Sequence, residues 1–497
     1  MSILRPGDTC WRIETADRAA FLVDTQDYFT AVSAALAKAR HSILLLGWGF
    51  DPRTRLHPDG LDGPDDPDEI GHVLIRLARA RPELDIRLLI WKSALPVAIS
   101  QDFFPHRSRA WFKGTSVKFI LDDAVPLAAC HHQKVLVIDD AIAFCGGGDF
   151  GVDRWDTLAH ADSDTRRLNP DHDQHAPRHE VVMMVDGAAA RGLADLARAR
   201  WRRATGETVA PPPVLAEDAW PTAVRPSVEK PGIAIVRTQP AWRGSEQIEE
   251  WRRLTMASIA AARRTLYLEN QYFTSPVIAE ALARRLAEPD GPEIVLVSTA
   301  HSPSYFDKLT MDRARSLMLR RLRAADVFGR FTALSPFTTS GKPVIVHAKV
   351  TIVDDRLVRI GSANLNNRSG GLDTECEVAI EAADSAAAQA ITNLRNHLAG
   401  HYVGRSAADV ATAIERHGGL IAAIDRLNHG GRLRPIELVK LGRLGRFIAE
   451  YHLGDPTGPD DDFAPLKRRK RLNDQVRAIA VGALKAEDSS LCEAPET

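Results

Sequence analysis

The 497-residue chain predicts an α/β fold of two tandem, homologous α/β/α sandwich halves, related by a pseudo-twofold, with a helical C-terminal tail. Three observations carry that expectation. Residues 34–50 (AALAKARHSILLLGWGF) are echoed by 257–273 (ASIAAARRTLYLENQYF). Residues 131–149 (HHQKVLVIDDAIAFCGGGD) are echoed more sharply by 346–364 (VHAKVTIVDDRLVRIGSAN). Phe50 and Phe273 are 223 positions apart and His132 and His347 are 215 apart, so both echoes share one offset to within a loop's length. The third observation is the alternation, inside each half, of short apolar strands with amphipathic helices.

The first half is expected over 1–205. An alanine-rich helix turns at Arg40 into the strand SILLLGWGF, followed by LDIRLLIW, SVKFIL, KVLVID and EVVMMV, and a helix over Ala188–Arg203. Residues 206–232 hold Pro211, Pro212, Pro213, Pro221, Pro226 and Pro231 and read as a semi-extended linker. The second half, 233–404, turns at Arg263 into TLYLENQYF, with EIVLVS, KVTIVD and EVAIEA as further strands. About 40 residues precede SILLLGWGF, the first strand of the first half. The tail, 405–497, is helical to His452, then passes through GDPTGPDDDFAP into the basic run Lys467–Arg471.

Composition narrows the function. A formal charge of −1 disfavours a globally basic nucleic-acid binder, though not a local basic groove. No apolar run approaches the length of a spanning helix, and the N-terminal residues lack the apolar centre of a signal peptide, so a cytoplasmic protein is expected. Cys10, Cys130, Cys145, Cys376 and Cys492 are scattered and never spaced CxxC, which argues against a disulfide framework or a zinc site and for free thiols. With 13 lysines against 51 arginines, each retained lysine carries some information.

Two of those lysines stand in the repeated motif. On a strand, residues two apart project from one face, so His132 points with Lys134 and His347 with Lys349. Asp139 and Asp354 follow on the opposite face. A cation beside a histidine pushes its proton off, which suits a neutral imidazole facing an anion. Two such pairs about a pseudo-twofold predict one interfacial site. One imidazole attacks a phosphodiester phosphorus and the other protonates the leaving oxygen, while the two lysines and an amide hold the equatorial oxygens. That division needs no metal, and no carboxylate cluster with metal spacing stands out. Each histidine also needs a carboxylate to orient it, and Glu180 and Glu377, each opening a strand after the glycine-rich turn, are the symmetric candidates.

These residues resemble the phospholipase D superfamily, whose signature is a duplicated HxKxxxxD motif. The likeness covers roughly residues 35–404 and points to its eukaryotic-type branch. YLENQYF (267–273), GWGFDP (47–52), GGGDFGVDRWDT…H (146–160) and LRNHLAGHYVG (394–404) are similar to that branch's motifs. The resemblance implies His132 as the nucleophile of a phosphohistidine, His347 as general acid and then base, and Lys134, Lys349 and Asn364 as ligands of the phosphoryl oxygens. It makes Asp139 and Asp354 chiefly structural, and it strengthens Glu180 and Glu377 as orienting carboxylates. Asp149 stands where Asn364 stands in the second half, a substitution the branch shares, and is counted with the phosphate site. The implied reaction is hydrolysis of phosphatidylcholine-like lipids to phosphatidic acid and a free alcohol, with transphosphatidylation when an alcohol replaces water. No cofactor or metal is implied.

NNRSGGLDTECE (366–377) departs from the branch at Asn367 and in its glycines, which bears on loop shape and head-group choice. The short N-terminal stretch leaves no room for PX, PH or C2 modules. Membrane contact is therefore expected from Arg432–Phe447 and Lys467–Arg471 as a basic surface at the inner face of a membrane, against the alternative of a tail packed on the core. Trp48 and Trp155 are candidates for a π face toward a quaternary ammonium head group, or for packing. The competing functions are a nuclease or cardiolipin-synthase-like phosphatidyltransferase of the same superfamily, and a non-catalytic phospholipid-binding scaffold.

Overall fold

In the computed structural model, the described residues are 2–58, 68–93 and 104–491; Cys492 lies outside them. The strands of the first half are β1 (Arg12–Thr15), β2 (Arg18–Val23), β3 (Ser42–Gly47), β4 (Asp85–Trp91), β5 (Lys118–Asp122), β6 (Val135–Ile138), β7 (Ile142–Gly146), β8 (Arg178–His179) and β9 (Val181–Asp186). After them come β10 (Val228–Glu229), β11 (Gly232–Gln239), β12 (Ile248–Glu249), β13 (Thr265–Glu269), β14 (Glu293–Val297) and β15 (Phe331–Pro336). The last are β16 (Ile345–Val346), β17 (Val350–Val353), β18 (Leu357–Gly361), β19 (Glu375–Glu381) and β20 (Leu433–Pro435).

Two sheets carry the duplication. One has the order β10-β2-β9-β7-β6-β3-β4-β5 and the other β1-β11-β19-β18-β17-β13-β14-β15-β20, with β12 added beside β11. Seven strands of each correspond, down to the parallel pairs β3–β4–β5 and β13–β14–β15 in otherwise antiparallel sheets. The strands read as unbroken apolar runs because both faces are covered. Leu44, Leu46, Val135 and Val137 face a core shared with Ile235, Ile352, Val378 and Ile380 of the second sheet. Ile43, Leu45, Leu136 and Ile138 face an outer layer with Phe29 and Leu36 of the helix Asp24–Lys38. The second half repeats this with Leu254 and Leu282 outside.

The structure departs from the sequence reading at the edges. Two strands precede the expected alanine-rich helix and β3, and β1 belongs to the second half's sheet, paired with β11. The proline-rich segment is not wholly a free linker, since β10 within it completes the first half's sheet beside β2. The tail also contributes β20 to the second sheet. Its basic run lies in the helix Pro465–Leu491 and is largely internally paired. Arg468 is buried and donates to the carbonyls of His452 (2.6 Å), Asp461 and Asp462 (2.7 Å each), while Lys467 and Arg471 pair with Asp460 and Arg469 with Glu450. Lys467, Arg468, Arg469 and Arg471 are thus partnered within the tail, which leaves less of the run's charge free for the basic surface expected from Arg432–Phe447 with Lys467–Arg471. Cys10, Cys130, Cys145 and Cys376 are buried free thiols. No described helix is long and apolar enough to cross a membrane.

Candidate active site

The site is built by each half pairing with the other. Just before β6 the backbone of the first motif runs beside residues 374–375: Thr374 N–H donates to Cys130 O (3.0 Å) and His132 N–H to Thr374 O (2.9 Å). The second motif repeats this with β8: Ile345 N–H donates to Pro177 O (2.8 Å) and His347 N–H to His179 O (2.9 Å). The residue after each accepting carbonyl is a glutamate. Glu375 therefore meets His132, its carboxylate oxygens 3.0 and 3.1 Å from Nδ1. Glu180 meets His347, with Oε1 2.6 Å from Nδ1 in an ion-pair contact. Both glutamates are 1% exposed. Glu375 further accepts from Ser369 Oγ (2.6 Å) and Ser362 Oγ, and burial works against its charge less than His132 and these hydroxyls favour it, so its pKa is lowered.

Glu377, the predicted partner, is not on a histidine. It faces Arg359 (3.4 Å) and the Trp251 indole N–H (3.1 Å), and burial raises its pKa to about 7. The error is one of register. Gly361 stands opposite Glu377 as Gly146 stands opposite Val182, so the counterpart of Glu180 is Glu375, two residues earlier and on the same strand face. The repeated Glu-Val dipeptide drew the sequence alignment two places off.

Lys134 is 4% exposed; its Nζ donates to His132 O (3.0 Å) and lies 3.2 Å from Asp149 Oδ2. Lys349 repeats the bond to His347 O from deeper still, at 2% exposure. Asp149 is not a phosphate donor: Oδ1 accepts from the N–H groups of Trp48 (2.9 Å) and Gly49 (3.1 Å), and its charge holds Lys134. Asn364 lines the cleft with its backbone N–H on Ser369 Oγ (2.9 Å). The motif aspartates Asp139 and Asp354, for which the resemblance implies a chiefly structural part, do not reach it. Each has φ of +53° and accepts three backbone N–H groups at 2.7–3.0 Å, from Arg40, His41 and Ser42 in one half and Arg263, Arg264 and Thr265 in the other. They close the turn into β3 and β13.

Both histidines open onto one cleft of about 510 Å³ at the seam of the halves. Arg154, which sequence reasoning passed over, joins Lys134 in its wall; its signal was its place within the GGGDFGVDRWDT segment. Burial opposes its charge, but Asp153, Glu180 and Asp149 outweigh that and keep the guanidinium protonated. His347 is pushed well below the ordinary imidazole range by burial first and then by Lys349, Arg154 and Arg178. Lys349 itself is pulled to about 7 by burial, against the attraction of Glu180. Trp48 and Trp91 form one wall with ring centroids 5.6 Å apart, whereas Trp155 is buried in the outer core beneath Arg166 and takes no part. The rim is apolar: Leu127 is 88% and Phe306 55% exposed.

A family model described as "Cardiolipin synthase, PLD-like domain" matches residues 255–398. Phospholipase D A of Dictyostelium discoideum is 25% identical over 422 residues, 71% of this chain and 32% of that protein. Phospholipase D2 of Bos taurus is 23% identical, covering 73% of this chain and 49% of its own length. Cardiolipin synthase A of Pseudomonas putida is 25% identical across 71% of this chain and 63% of its own. The chain thus spans about a third to a half of the two phospholipases D it resembles. Among solved structures, a phosphatidylserine synthase from Haemophilus influenzae Rd KW20 superposes over 95% of this chain and 96% of its own, with a TM-score of 0.51 at 12% identity.

Proposed function

Because this chain belongs to the phospholipase D superfamily of phosphodiesterases and phosphatidyltransferases, we propose that it cleaves glycerophospholipids of the phosphatidylcholine type through a phosphohistidine intermediate. The observation that carries the reading is the pair of histidines, each backed by a buried glutamate from the opposite half, at the foot of one cationic cleft with an apolar rim.

In the proposed first step His132 Nε2 attacks phosphorus in line with the head-group oxygen. The P–O bond breaks as His347 Nε2 gives its proton to the departing alcohol, leaving a phosphatidyl-histidine. In the second step His347 takes the proton of an entering water or alcohol, whose oxygen displaces His132 and yields phosphatidic acid or a phosphatidylalcohol. Glu375 and Glu180 fix both imidazoles with Nε2 toward the cleft and stabilise the imidazolium each becomes in turn. Lys134, Lys349, Arg154 and Asn364 are proposed to hold the equatorial oxygens as their charge rises. The arriving phosphate offsets the cations that keep His347 neutral in the free enzyme. Leu127 and Phe306 offer the apolar surface against which a lipid's glycerol and chains would rest.

The test is incubation with phosphatidylcholine vesicles and a dilute primary alcohol, followed by identification of the lipid products. Phosphatidylalcohol beside phosphatidic acid supports a covalent phosphatidyl-enzyme. Cleavage of a simple aryl phosphodiester without lipid turnover would keep the chemistry and reject the substrate. Enzyme denatured in alkali, where the P–N bond survives, should carry the phosphoryl label on residue 132 and lose it on acid treatment; a label on residue 347 would exchange the two roles. The second reading, phosphatidyl transfer between lipids, is favoured by the cardiolipin-synthase description of the matched domain and is tested by supplying phosphatidylglycerol in the same assay.

A further inference from the structure

Behind Glu180 lies a second cluster of ionisable side chains that the cleft does not use. Asp24 begins the helix after β2, His160 closes the loop that follows Trp155, His179 ends β8 and His401 ends the helix Ser385–His401. Their exposures are 1%, 1%, 0% and 8%, and one ligand atom from each lies within 4.8 Å of all the others. The three imidazole centroids are 4.9, 5.6 and 5.9 Å apart. Imidazoles arranged tetrahedrally about a zinc ion at ~2.0 Å would stand about 5 Å apart.

The protonation pattern is set from outside the cluster. His160 Nδ1 lies 2.9 Å from Asp156 Oδ2, His401 Nδ1 lies 2.9 Å from Leu398 O, and His179 Nε2 lies 2.8 Å from Glu269 Oε2. Each acceptor holds a proton on the outer nitrogen, the arrangement that orients metal-bound histidines; His160 and His401 thereby turn a lone pair inward, whereas the inner Nδ1 of His179 shares a proton with Asp24 that a bound cation would displace. The inner atoms are left wanting. His179 Nδ1 has Asp24 Oδ1 at 2.8 Å, but Asp24 Oδ2, His160 Nε2 and His401 Nε2 are buried with no hydrogen-bond partner, His160 Nε2 standing 3.5 Å from Asp24 Oδ2. One proton between His179 and Asp24 satisfies two atoms and orphans three, at a cost of several kcal/mol in a dry interior. One divalent cation satisfies all four.

We propose that Asp24, His160, His179 and His401 bind a single structural divalent transition-metal ion with the preference of zinc. Three imidazoles and one carboxylate in a closed, buried set suit a borderline cation and not calcium or magnesium, whose ligands are oxygens. Binding expels the proton between His179 and Asp24 and changes no oxidation state. The ion takes no part in phosphoryl transfer. It pins His401 of the second half to three segments of the first, and it fixes the backbone of His179, whose carbonyl accepts from His347 N–H and whose neighbour is Glu180. The cluster draws on residues 24, 160, 179 and 401, so no local spacing advertises it.

The full chain, purified without chelator from zinc-containing medium, should carry about one equivalent of zinc by mass spectrometry. Replacing it with cobalt should give the intense visible bands of a tetrahedral Co²⁺ site. Asp24→Asn, His160→Ala and His401→Ala should each lower the metal content at least fivefold, while His417→Ala, at an exposed helix end, should leave it unchanged. Removing the metal from wild-type protein under mild denaturation should lower the melting temperature, and added zinc should restore it. Wild-type protein with less than a tenth of an equivalent, and no thermal shift on adding zinc or cobalt, would overturn the proposal. Metal retained in both His160→Ala and His401→Ala would overturn it as well, by putting the ion elsewhere.

Discussion

Lys349 has a pKa near 7, chiefly because it is buried, against about 10.5 in an unfolded chain. Two consequences follow with opposite dependence on pH. If Lys349 holds phosphate as proposed, the free protein loses that charge as pH rises through about 7, so kcat/KM should fall on that limb and KM should rise. Stability moves the other way: between 7 and 10.5 the unfolded chain holds the lysine proton that the folded chain has shed, so folding becomes more favourable as pH rises. Lys349→Met should flatten that rise in melting temperature while removing most turnover. At the same scale, the two glutamates of β19 separate cleanly. Glu375→Gln should lower kcat on the order of 10²-fold by loosening His132, and Glu377→Gln should leave kcat within a few-fold while altering thermal stability. Equal losses in both would reject the registration described here. His132→Ala and His347→Ala should each remove turnover by roughly 10³-fold or more; near-wild-type activity in either would exclude a single shared site.

At the scale of elements, the motif aspartates organise strand entry. Asp139 and Asp354 each gather three N–H groups at the start of β3 and β13, where the chain has left the helix and these buried donors need an acceptor. Asp354→Ala should cost about 3 kcal/mol in chemical denaturation, and Asp354→Asn less, with kcat of the surviving folded enzyme little changed. This is also the scale at which the sequence was most and least legible. The central strands could be read because both faces are apolar and the halves repeat, so His132, Lys134, His347 and Lys349 stood out by offset alone. The short edge strands β1 and β10 could not, because two to four residues without an apolar pattern carry no periodicity. Glu375 was missed for a related reason: which residue of ECE faces the histidine depends on pairing with a strand 14 residues upstream, and only the ladder reveals it. Arg154 and the His160–His179–His401 group lie in loops, in a two-residue strand and at a helix end, where position is set by tertiary contacts.

At the scale of the whole molecule, the halves are interlocked. β1, at the chain's start, edges the second sheet, and β10, between the halves, edges the first. Fragments cut as 1–205 and 233–404 would each lose an edge strand and expose the unpaired backbone of β2 or β11, so both should aggregate when expressed alone. A fragment of 16–230 should be the more soluble first half, as measured by size-exclusion chromatography of matched expressions. Recovery of two monomeric, folded fragments from the original cuts would contradict the interlocking. The shared inner core, which brings Cys145 Sγ within 3.8 Å of Cys376 Sγ across the seam, adds to the expectation that the halves unfold together.

The crossed glutamates also govern when the enzyme comes alive during its own synthesis. A nascent chain presents His132 long before Glu375 has been translated, and Glu180 waits for His347. Neither imidazole is aimed until the ribosome has passed residue 375 and the two halves have closed on each other. On the proposed mechanism, this order of assembly leaves both histidines without their orienting carboxylates until the second half has been made.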